Sequence, residues 1–207
     1  MEDVDLAYET GVHLGDGSMD RYRYLVSGDR EKGTVYYKQI LAPLVRDLFE
    51  VMPTIAFQDN SVYLRVYSKE LVLFKHEVLG LPIGPKEKLE IPAFARANQL
   101  LTRNLVSGVY DTDGSVKIRH ADSGDYPRIS LAQKCSTLVL QVKGFLATLG
   151  ITSTFYRNDY FDPRNNVTET RWFLDINGFG NFDLFVSLVG TRSPYVRKRM
   201  RAVERLR

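Results

Sequence analysis

The chain has little of the chemistry that a thiol or histidine site needs. Cys135 is the only cysteine among 207 residues, which excludes an intrachain disulfide and a thiolate zinc cluster. His13, His76 and His120 are scattered and do not have the spacing of metal ligands. A metal bound to this chain must therefore be a hard cation with oxygen ligands, which fits Mg²⁺ and carboxylates.

Long apolar runs are also missing from the sequence. No run approaches the roughly 20 apolar residues that a membrane span needs. The acidic start, Met1-Glu2-Asp3, lacks the basic-then-apolar order of a signal peptide. Hydrophobic residues make up 44% and charged residues 26% of the chain, which is ordinary for a globular protein. We therefore expect a folded intracellular protein, cytoplasmic or organellar, with no membrane partner.

A large net charge is absent too, but the charge is unevenly placed. The net charge is +3, and from Ser193 onward six basic residues stand against Glu204 alone. The rest of the chain is therefore slightly acidic. Nucleic-acid binding requires that basic residues collect on one face of such a body. The basic tail either adds phosphate contacts or is a solvated helix end.

One short motif occurs twice in the chain. The first copy reads TGVHLGDGS (10–18) and the second reads SGVYDTDGS (107–115). Aligned on Asp16 and Asp113, they share a glycine, an apolar residue, a small residue, the aspartate and a following Gly-Ser. Small residues four positions apart lie on one face of a helix, so two such helices can approach closely and bring both aspartates to one spot.

Two adjacent carboxylates repel each other unless a cation lies between them, and helix C-termini add negative charge at the same point. The motif therefore predicts a divalent-cation site. A single Asp-Gly after a helix would be only a common turn signal. The matched copies, each followed by the same order of elements, support the functional interpretation.

Each copy is followed by strand, strand, helix, strand, strand and helix. In the first half the patterns predict a hairpin start at 19–26, a helix at 34–49 kinked at Pro43, a hairpin at 54–58 and 62–67, and a helix from 68 to 78. In the second half they predict a helix at 93–110, strands at 115–119 and 126–132, a helix at 136–149, strands at 152–158 and 170–176 joined by a loop containing 163–166, and a helix at 181–189. Gly150 and Gly190 are expected to cap the two helices that precede them. The sequence therefore predicts a duplicated α+β fold, with one repeat and its proline- and glycine-rich linker in residues 1–92 and the other repeat in 93–207.

The second motif, VSGVYDTDG (106–114), resembles the nine-residue signature of the LAGLIDADG homing endonucleases. ETGVHLGDG (9–17) resembles the degenerate first signature of single-chain, two-repeat members, and the resemblance extends over nearly the whole chain. It implies an αββαββα order in each half, pseudo-twofold symmetry, a monomer and two saddle-shaped antiparallel sheets in the DNA major groove. It also implies that the protein hydrolyses both strands of a long, specific double-stranded DNA site with two or three Mg²⁺ ions.

The resemblance assigns metal contacts to Asp16 and Asp113 and to the residues that precede them, Gly15 and Thr112. Supporting catalytic residues in the family follow the second strand of a repeat, which corresponds to Gln133 and Lys134. The matching stretch of the first half, Ser27-Gly28-Asp29, lacks the Gln-Lys pair, so Asp29 is the supporting residue expected there. The position of Asp111 is occupied by Leu14 in the first copy. Asp111 is therefore expected to have a structural role, or to contact the residues that bind the metal rather than the metal itself.

The sheets of the family present alternating polar side chains to DNA base edges, and arginine reads guanine through paired donors. The strand residues expected to face DNA are Arg21, Arg23, Tyr63, Arg65, Lys117, Arg119, Arg128, Arg157 and Arg171. Any one of them alone would be equally consistent with a solvated strand face.

Two other classes of function stay open. Some family members bind nucleic acid without cutting it, as RNA-splicing maturases with an intron RNA partner or as transcription regulators. The chain keeps both aspartates, which favours a nuclease. A duplicated scaffold with no nucleic-acid role is the third alternative.

Overall fold

The structure, a computed structural model, describes residues 2–86, 88–122, 124–163 and 166–206. It contains two four-stranded antiparallel sheets, and helices pack against one face of each sheet. Each half follows the predicted order of helix, two strands, helix, two strands and helix. The prediction of a duplicated α+β fold is confirmed.

The first half begins with the helix that carries Asp16. Its elements are α1 (Glu2–Asp16), β1 (Gly17–Met19), β2 (Arg23–Asp29), α2 (Arg30–Tyr36), α3 (Ala42–Phe49), β3 (Thr54–Gln58), β4 (Ser61–Tyr67) and α4 (Lys69–Leu73). A π-helical turn, Tyr37–Leu41, joins α2 to α3, and a second one, Phe74–Val78, extends α4. The strands lie in the order β1-β2-β4-β3.

The second half repeats this arrangement around the helix that carries Asp113. Its elements are α5 (Ala93–Arg96), α6 (Gln99–Asp113), β5 (Gly114–Arg119), β6 (Tyr126–Gln133), α7 (Ser136–Thr148), β7 (Thr154–Asp162), β8 (Val167–Asn177), α8 (Phe179–Leu188) and α9 (Pro194–Glu204). The strands lie in the matching order β5-β6-β8-β7. Among the described residues, no helix is long and apolar enough to cross a bilayer.

The two sheets correspond residue by residue. In each half the residue after the aspartate pairs with the central strand at the same point, Gly17 with Val26 and Gly114 with Leu131. Counting two residues further along those central strands, Gly28 is the counterpart of Gln133. One residue further on, Asp29 is the counterpart of Lys134.

Helices α1 and α6 cross with their backbones in contact. A Cβ atom on Gly11 would overlap the carbonyl of Leu105. One on Gly108 would overlap the carbonyl of Tyr8 and stand 2.9 Å from the amide nitrogen of Val12. The predicted small-residue strips are thus the contact surface, and the crossing carries both helix C-termini to the centre of the molecule.

A buried ion pair lies in the core of the first half. The Lys75 ammonium contacts both carboxylate oxygens of Glu9, at 2.5 and 2.8 Å, and neither side chain is exposed. The same ammonium lies 4.2 Å from the centre of the Tyr24 ring. Glu9 is part of the first motif, so α1 carries a charged residue in its middle, Glu9, as well as Asp16 at its C-terminus.

The linker between the halves is packed rather than loose. Leu81, Leu89 and Ile91 are buried. The Leu89 amide donates to the sulfur of Cys135 at 3.2 Å, and the Ile91 amide donates to the side-chain oxygen of Gln141 at 2.7 Å. We call residues 79–92 the strap, because they run from the first half onto α7 of the second.

Two predicted helices need correction. The helix expected at 34–49 begins at Arg30, because the Asp29 carboxylate accepts a hydrogen bond from the Lys32 amide at 2.9 Å and caps it. Its irregularity is the π turn that precedes Pro43. The helix expected at 93–110 is broken, because the Asn98 side chain accepts from the Leu100 amide at 2.8 Å and starts a new helix that continues to Asp113.

The basic tail forms α9, with Met200 and Val203 buried and its basic side chains on the exposed side. Strands β7 and β8 extend further towards their connecting loop than expected, whereas β7 begins two residues later than the predicted start at 152. Residues 164 and 165 of the predicted loop lie outside the described part of the chain. Gly150 and Gly190 have φ of +77° and +68°, which confirms both as glycine caps.

Candidate functional site

Asp16 and Asp113 end α1 and α6 and meet where the two helices meet. Oδ2 of Asp113 lies 2.9 Å from the position that a Cβ on Gly15 would take. Burial, reinforced by the Asp16 carboxylate, raises the pKa of Asp113 to about 8. Burial also raises the pKa of Asp16 to about 6. The two acids therefore share one poorly solvated environment in which a second negative charge is costly.

The donor set at this point fits a hard divalent cation. Two carboxylates with raised pKa values lie at two helix C-termini, so a cation placed there would relieve both repulsion and desolvation. No group of three or more His, Cys, Asp or Glu side chains with metal-binding spacing occurs among the described residues. A cation held here would therefore need additional oxygen ligands from the backbone, water or a bound substrate.

Lys86, on the strap, is a residue of the site that the sequence did not indicate. Its ammonium donates to the carbonyls of His13, Leu14 and Gly15, at 2.7, 3.2 and 2.6 Å. Burial lowers the pKa of Lys86 to about 8, although the two aspartates oppose the shift. This ammonium offsets the negative C-terminus of α1. The hydrogen bond from Lys86 also engages the Gly15 carbonyl oxygen. Gly15 is one of the two residues, besides the aspartates, that were expected to contact metal.

Gln133 lies at the site, as expected. Its side-chain amide donates to Oδ2 of Asp113 at 2.5 Å and to the Leu14 carbonyl at 3.3 Å, which links the tips of both helices. Lys134 is more exposed, and its ammonium pairs with Glu169 at 2.8 Å. A pocket of about 610 Å³ opens beside Asp113 and includes both residues among its walls, together with Lys86 and Arg171.

The side of the site next to Asp16 is built differently. Asp29, the supporting residue expected there, caps α2 and lies 3.8 Å from the Lys32 ammonium. It does share a pocket of about 230 Å³ with Asp16 and Thr112. The Thr112 hydroxyl hydrogen-bonds back into its own helix, to the carbonyl of Val109 at 3.0 Å.

Asp111 has a structural environment, as the sequence indicated. Its carboxylate accepts hydrogen bonds from the Tyr8 hydroxyl at 2.5 Å and from the Thr191 hydroxyl. It also accepts from the amides of Arg192 and Ser193, at 2.8 and 3.1 Å. Burial raises the pKa of Asp111, and these hydrogen bonds oppose the shift. Asp111 therefore anchors the segment that leads into α9.

Most of the strand residues expected to face DNA share the outer faces of the two sheets, opposite the helices. Strand alternation and register place seven of them there: Arg23, Tyr63, Arg65, Lys117, Arg119, Arg128 and Arg171. Two placements were wrong. Arg21 lies in the turn between β1 and β2. Arg157 pairs across from Trp172 on the opposite face, and its guanidinium makes two 2.9 Å contacts with Asp159.

Acidic side chains neutralise part of these outer faces. Arg128 pairs with Asp175 at 3.0 Å, Arg171 with Glu169 at 3.3 Å, and Arg23 with Asp20 at 3.0 Å. Within the described ranges, Arg65, Lys117 and Arg119 have no carboxylate partner. Among these strand residues, positive charge without a carboxylate partner is therefore found at Arg65 on the first sheet and at Lys117 and Arg119, both in β5, on the second.

Comparisons with known proteins agree with this architecture. The family described as the LAGLIDADG-like domain matches residues 101–190. A structure of I-DmoI in complex with DNA and Mn has 20% identity and a TM-score of 0.65, over 92% of this chain and 98% of that chain. A complex of I-DmoI with DNA and Ca has 19% identity and a TM-score of 0.66, over 99% of this chain and 98% of that chain.

A more distant structure shares the fold but is much longer. Full-length DUF199/WhiA from Thermatoga maritima has 14% identity and a TM-score of 0.59, and the match covers 100% of this chain but 62% of that one. No curated protein sequence matches the chain. The predicted LAGLIDADG resemblance is confirmed: residues 101–190 match the LAGLIDADG-like domain, and 92% of the chain shares the fold of the homing endonuclease I-DmoI.

Proposed function

We propose that this protein is a site-specific endonuclease that hydrolyses both strands of double-stranded DNA, with one essential aspartate from each half. The observation that carries the proposal is the meeting of Asp16 and Asp113 at the crossing of α1 and α6. Both carboxylates are partly buried, and the charge of Asp16 contributes to the raised pKa of Asp113. Each aspartate precedes the first strand of a sheet whose outer face carries basic side chains. The fold it shares with I-DmoI supports the same reaction class.

In this proposal, Asp16 and Asp113 would hold Mg²⁺ at the place where the scissile phosphates bind. Bound divalent ions would supply Lewis-acid stabilisation of the phosphate and activation of the attacking water. Gln133 orients the Asp113 carboxylate through its 2.5 Å hydrogen bond and holds the end of α1 through the Leu14 carbonyl. Lys86 holds the C-terminus of α1, so that Asp16 is presented in a fixed direction.

The outer faces of the sheets would recognise the target. Arg65, Lys117 and Arg119 have no carboxylate partner among the described residues, so they can contact phosphates or base edges without first breaking an ion pair. Arg128 and Arg171 are held in defined directions by Asp175 and Glu169. Held guanidiniums are suited to base reading, because their two donors keep a fixed orientation. A monomer carries both half-sites, so the target would be a single long sequence.

The test is cleavage of a randomised double-stranded DNA library with Mg²⁺, carried out with the wild type, Asp16→Asn and Asp113→Asn. We expect discrete cut sites with the wild type and none with either variant, while specific binding by the variants persists. Substitution of Asp111→Asn in the same helix is the matched control, and cutting at the same sites should survive it. Binding without cutting by the wild type in Mg²⁺ or Mn²⁺ would refute the nuclease.

A second candidate is a protein of the same fold that binds DNA or intron RNA without cutting it. Two observations favour it. The Lys86 ammonium already lies on the Gly15 carbonyl, and the first half has glycine where the second has Gln133. The library experiment separates the two candidates, because a non-cleaving binder would select the same sequences with and without metal.

A further inference from the structure

The two sides of the aspartate pair differ at one position that the sheet register defines. Beside Asp113, Gln133 projects from the inner face of β6 and donates to the carboxylate at 2.5 Å. The residue at the same point of β2 is Gly28, which pairs with Val62 as Gln133 pairs with Trp172. The first half therefore has no side chain on its central strand to do what Gln133 does.

Another residue fills that space. The hydroxyl oxygen of Tyr37 lies 2.7 Å from the position that a Cβ on Gly28 would take, and two ring carbons follow at 3.1 Å. The Tyr37 side chain therefore occupies the volume where the counterpart of Gln133 would begin. Any residue larger than glycine at position 28 would collide with it.

The Tyr37 hydroxyl is buried and unsatisfied within the part of the chain that the structure describes. Tyr37 is 2% exposed, and its hydroxyl oxygen has no hydrogen-bond partner among the described residues. A buried polar atom without a partner is costly, so its retention calls for an explanation. The same residue lines the pocket of about 230 Å³ that also contains Asp16.

Local backbone geometry directs this side chain. Tyr37 is the first residue of the π-helical turn between α2 and α3. A π turn inserts an extra residue into a helix and is frequent at functional sites. The hydroxyl of the neighbouring Tyr36 forms a hydrogen bond with the Tyr8 hydroxyl at 2.8 Å. The two adjacent tyrosines therefore differ, because among the described residues only the Tyr36 hydroxyl has a partner.

We propose that the Tyr37 hydroxyl is the hydrogen-bond donor of the Asp16 half-site, where it binds the attacking water or a scissile phosphate oxygen and takes the place that Gln133 holds beside Asp113. The inference rests on the proposed nuclease function. Burial, with a contribution from both aspartates, raises the pKa of Tyr37 well above its usual value. The group therefore stays protonated and acts as a donor rather than as a base.

The consequence is that the two DNA strands depend on different side chains. Removal of the Tyr37 hydroxyl should slow cleavage of the strand served by Asp16 and leave the other strand at its normal rate. Removal of the Gln133 amide should do the reverse. A lost hydrogen bond to a charged group is worth about 1.5–3 kcal/mol, so the affected strand should slow by about tenfold to a hundredfold.

The experiment uses a duplex of the selected target with a different fluorophore on each strand and measures both cleavage rates in one tube. The variants are Tyr37→Phe and Gln133→Ala. Tyr110→Phe is the matched control, because it also removes a buried hydroxyl that lacks a partner among the described residues. Burial raises the pKa of the Tyr110 hydroxyl, and the charge that adds to this shift is that of Asp175, and not that of Asp16 or Asp113. The ratio of the two strand rates is the readout. A loss of folded protein lowers both rates together and leaves their ratio unchanged.

We expect Tyr37→Phe and Gln133→Ala to shift the strand ratio in opposite directions and Tyr110→Phe to leave it at the wild-type value. An unchanged ratio in Tyr37→Phe, or equal slowing of both strands, would overturn the inference while the nuclease function stands. A wild type that cuts neither strand would instead refute the nuclease itself. As a second test, Gly28→Gln combined with Tyr37→Ala should cleave the affected strand faster than Tyr37→Ala alone. An equal rate in the two variants would contradict the inference that Tyr37 takes the place of a glutamine at position 28.

Discussion

The crossing of α1 and α6 gives a sharp prediction about stability, because backbone touches backbone there. The perturbation is Gly108→Ala, which adds a single methyl group. That methyl would overlap the Tyr8 carbonyl and stand 2.9 Å from the Val12 amide nitrogen. Both obstacles belong to the backbone of α1 and cannot rotate away, so the two helices must separate.

The expected magnitude is a balance of two terms. Glycine to alanine inside a helix gains up to about 1 kcal/mol from intrinsic propensity. Overpacking a tight contact costs about 1–3 kcal/mol, and the cost is at the top of that range or above it when no flexible side chain can yield. We therefore expect a net loss of about 2 kcal/mol or more. For a chain of this size, that lowers Tm by about 4–8 °C.

The measurement is thermal unfolding with urea denaturation at the same pH, beside Gly144→Ala as the matched control. Gly144 lies in the exposed part of α7, and nothing stands within 4 Å of the added Cβ. The control should gain up to about 1 kcal/mol from helix propensity alone. If Gly108→Ala were as stabilising as Gly144→Ala, the close contact of α1 and α6 would be disproved.

Three further predictions concern charges. Lys75→Met should lower the free energy of unfolding, measured by urea denaturation, by about 3–5 kcal/mol, because it leaves Glu9 charged and unpaired in the core. The double variant Glu9→Met/Lys75→Met should recover most of that loss. A double variant that is no more stable than Lys75→Met would contradict this prediction. Without divalent metal, the free energy of unfolding should fall as pH rises from about 4 to about 8, because the folded protein holds a proton on Asp113 that the unfolded chain has released. Asp113→Asn and added Mg²⁺ should each reduce this dependence of stability on pH. An unchanged dependence in Asp113→Asn would show that Asp113 is not its cause. Lys86→Met should lower stability by about 1–3 kcal/mol in thermal unfolding, since it removes the donor to three carbonyls of α1; an unaltered Tm would show that the strap lysine does not hold the helix.

The parts of the fold that could be predicted are those with local signals. The repeated motif indicated both helices and their terminal aspartates, and their small residues indicated the close crossing. Gly150 and Gly190 follow their helices with positive φ, a backbone conformation that glycine adopts without strain. These features depend on a few neighbouring residues, and the sequence alone is sufficient for them.

Helix boundaries were harder to predict, because competing local signals occur at the same place. The apolar spacing from Ala93 onward continues through Ala97 and suggests one helix. Asn98 instead accepts hydrogen bonds from two following amides and starts a second helix. Asparagine is a strong N-cap, so this break was readable in principle. The apolar periodicity concealed it.

Positions that depend on long-range packing could not be predicted. Lys86 lies in a connection with no regular pattern, and only the folded strap brings it to α1. Tyr37 lies in a π turn and lines the pocket that contains Asp16, and Gly28 leaves room for its side chain. Arg157 was placed on the wrong face because alternation along one strand does not reveal which set of side chains faces the helices. Only the pairing with Trp172 decides that.

The strap and the anchor at Asp111 show that the two halves are supported in different ways. The tip of α1 is held by a lysine from the connection between the halves, whereas the tip of α6 is held by residues 191–193 that lead into the last helix. Leu14 cannot replace Asp111 in that second role. Two contacts join the halves directly: the Tyr8 hydroxyl of the first half donates to Asp111 of the second, and Arg192 of the second half pairs with Asp5 of the first. A homodimer of either half would lack these contacts. The strand orders of the two sheets match, while the side chains make each half a specific complement of the other.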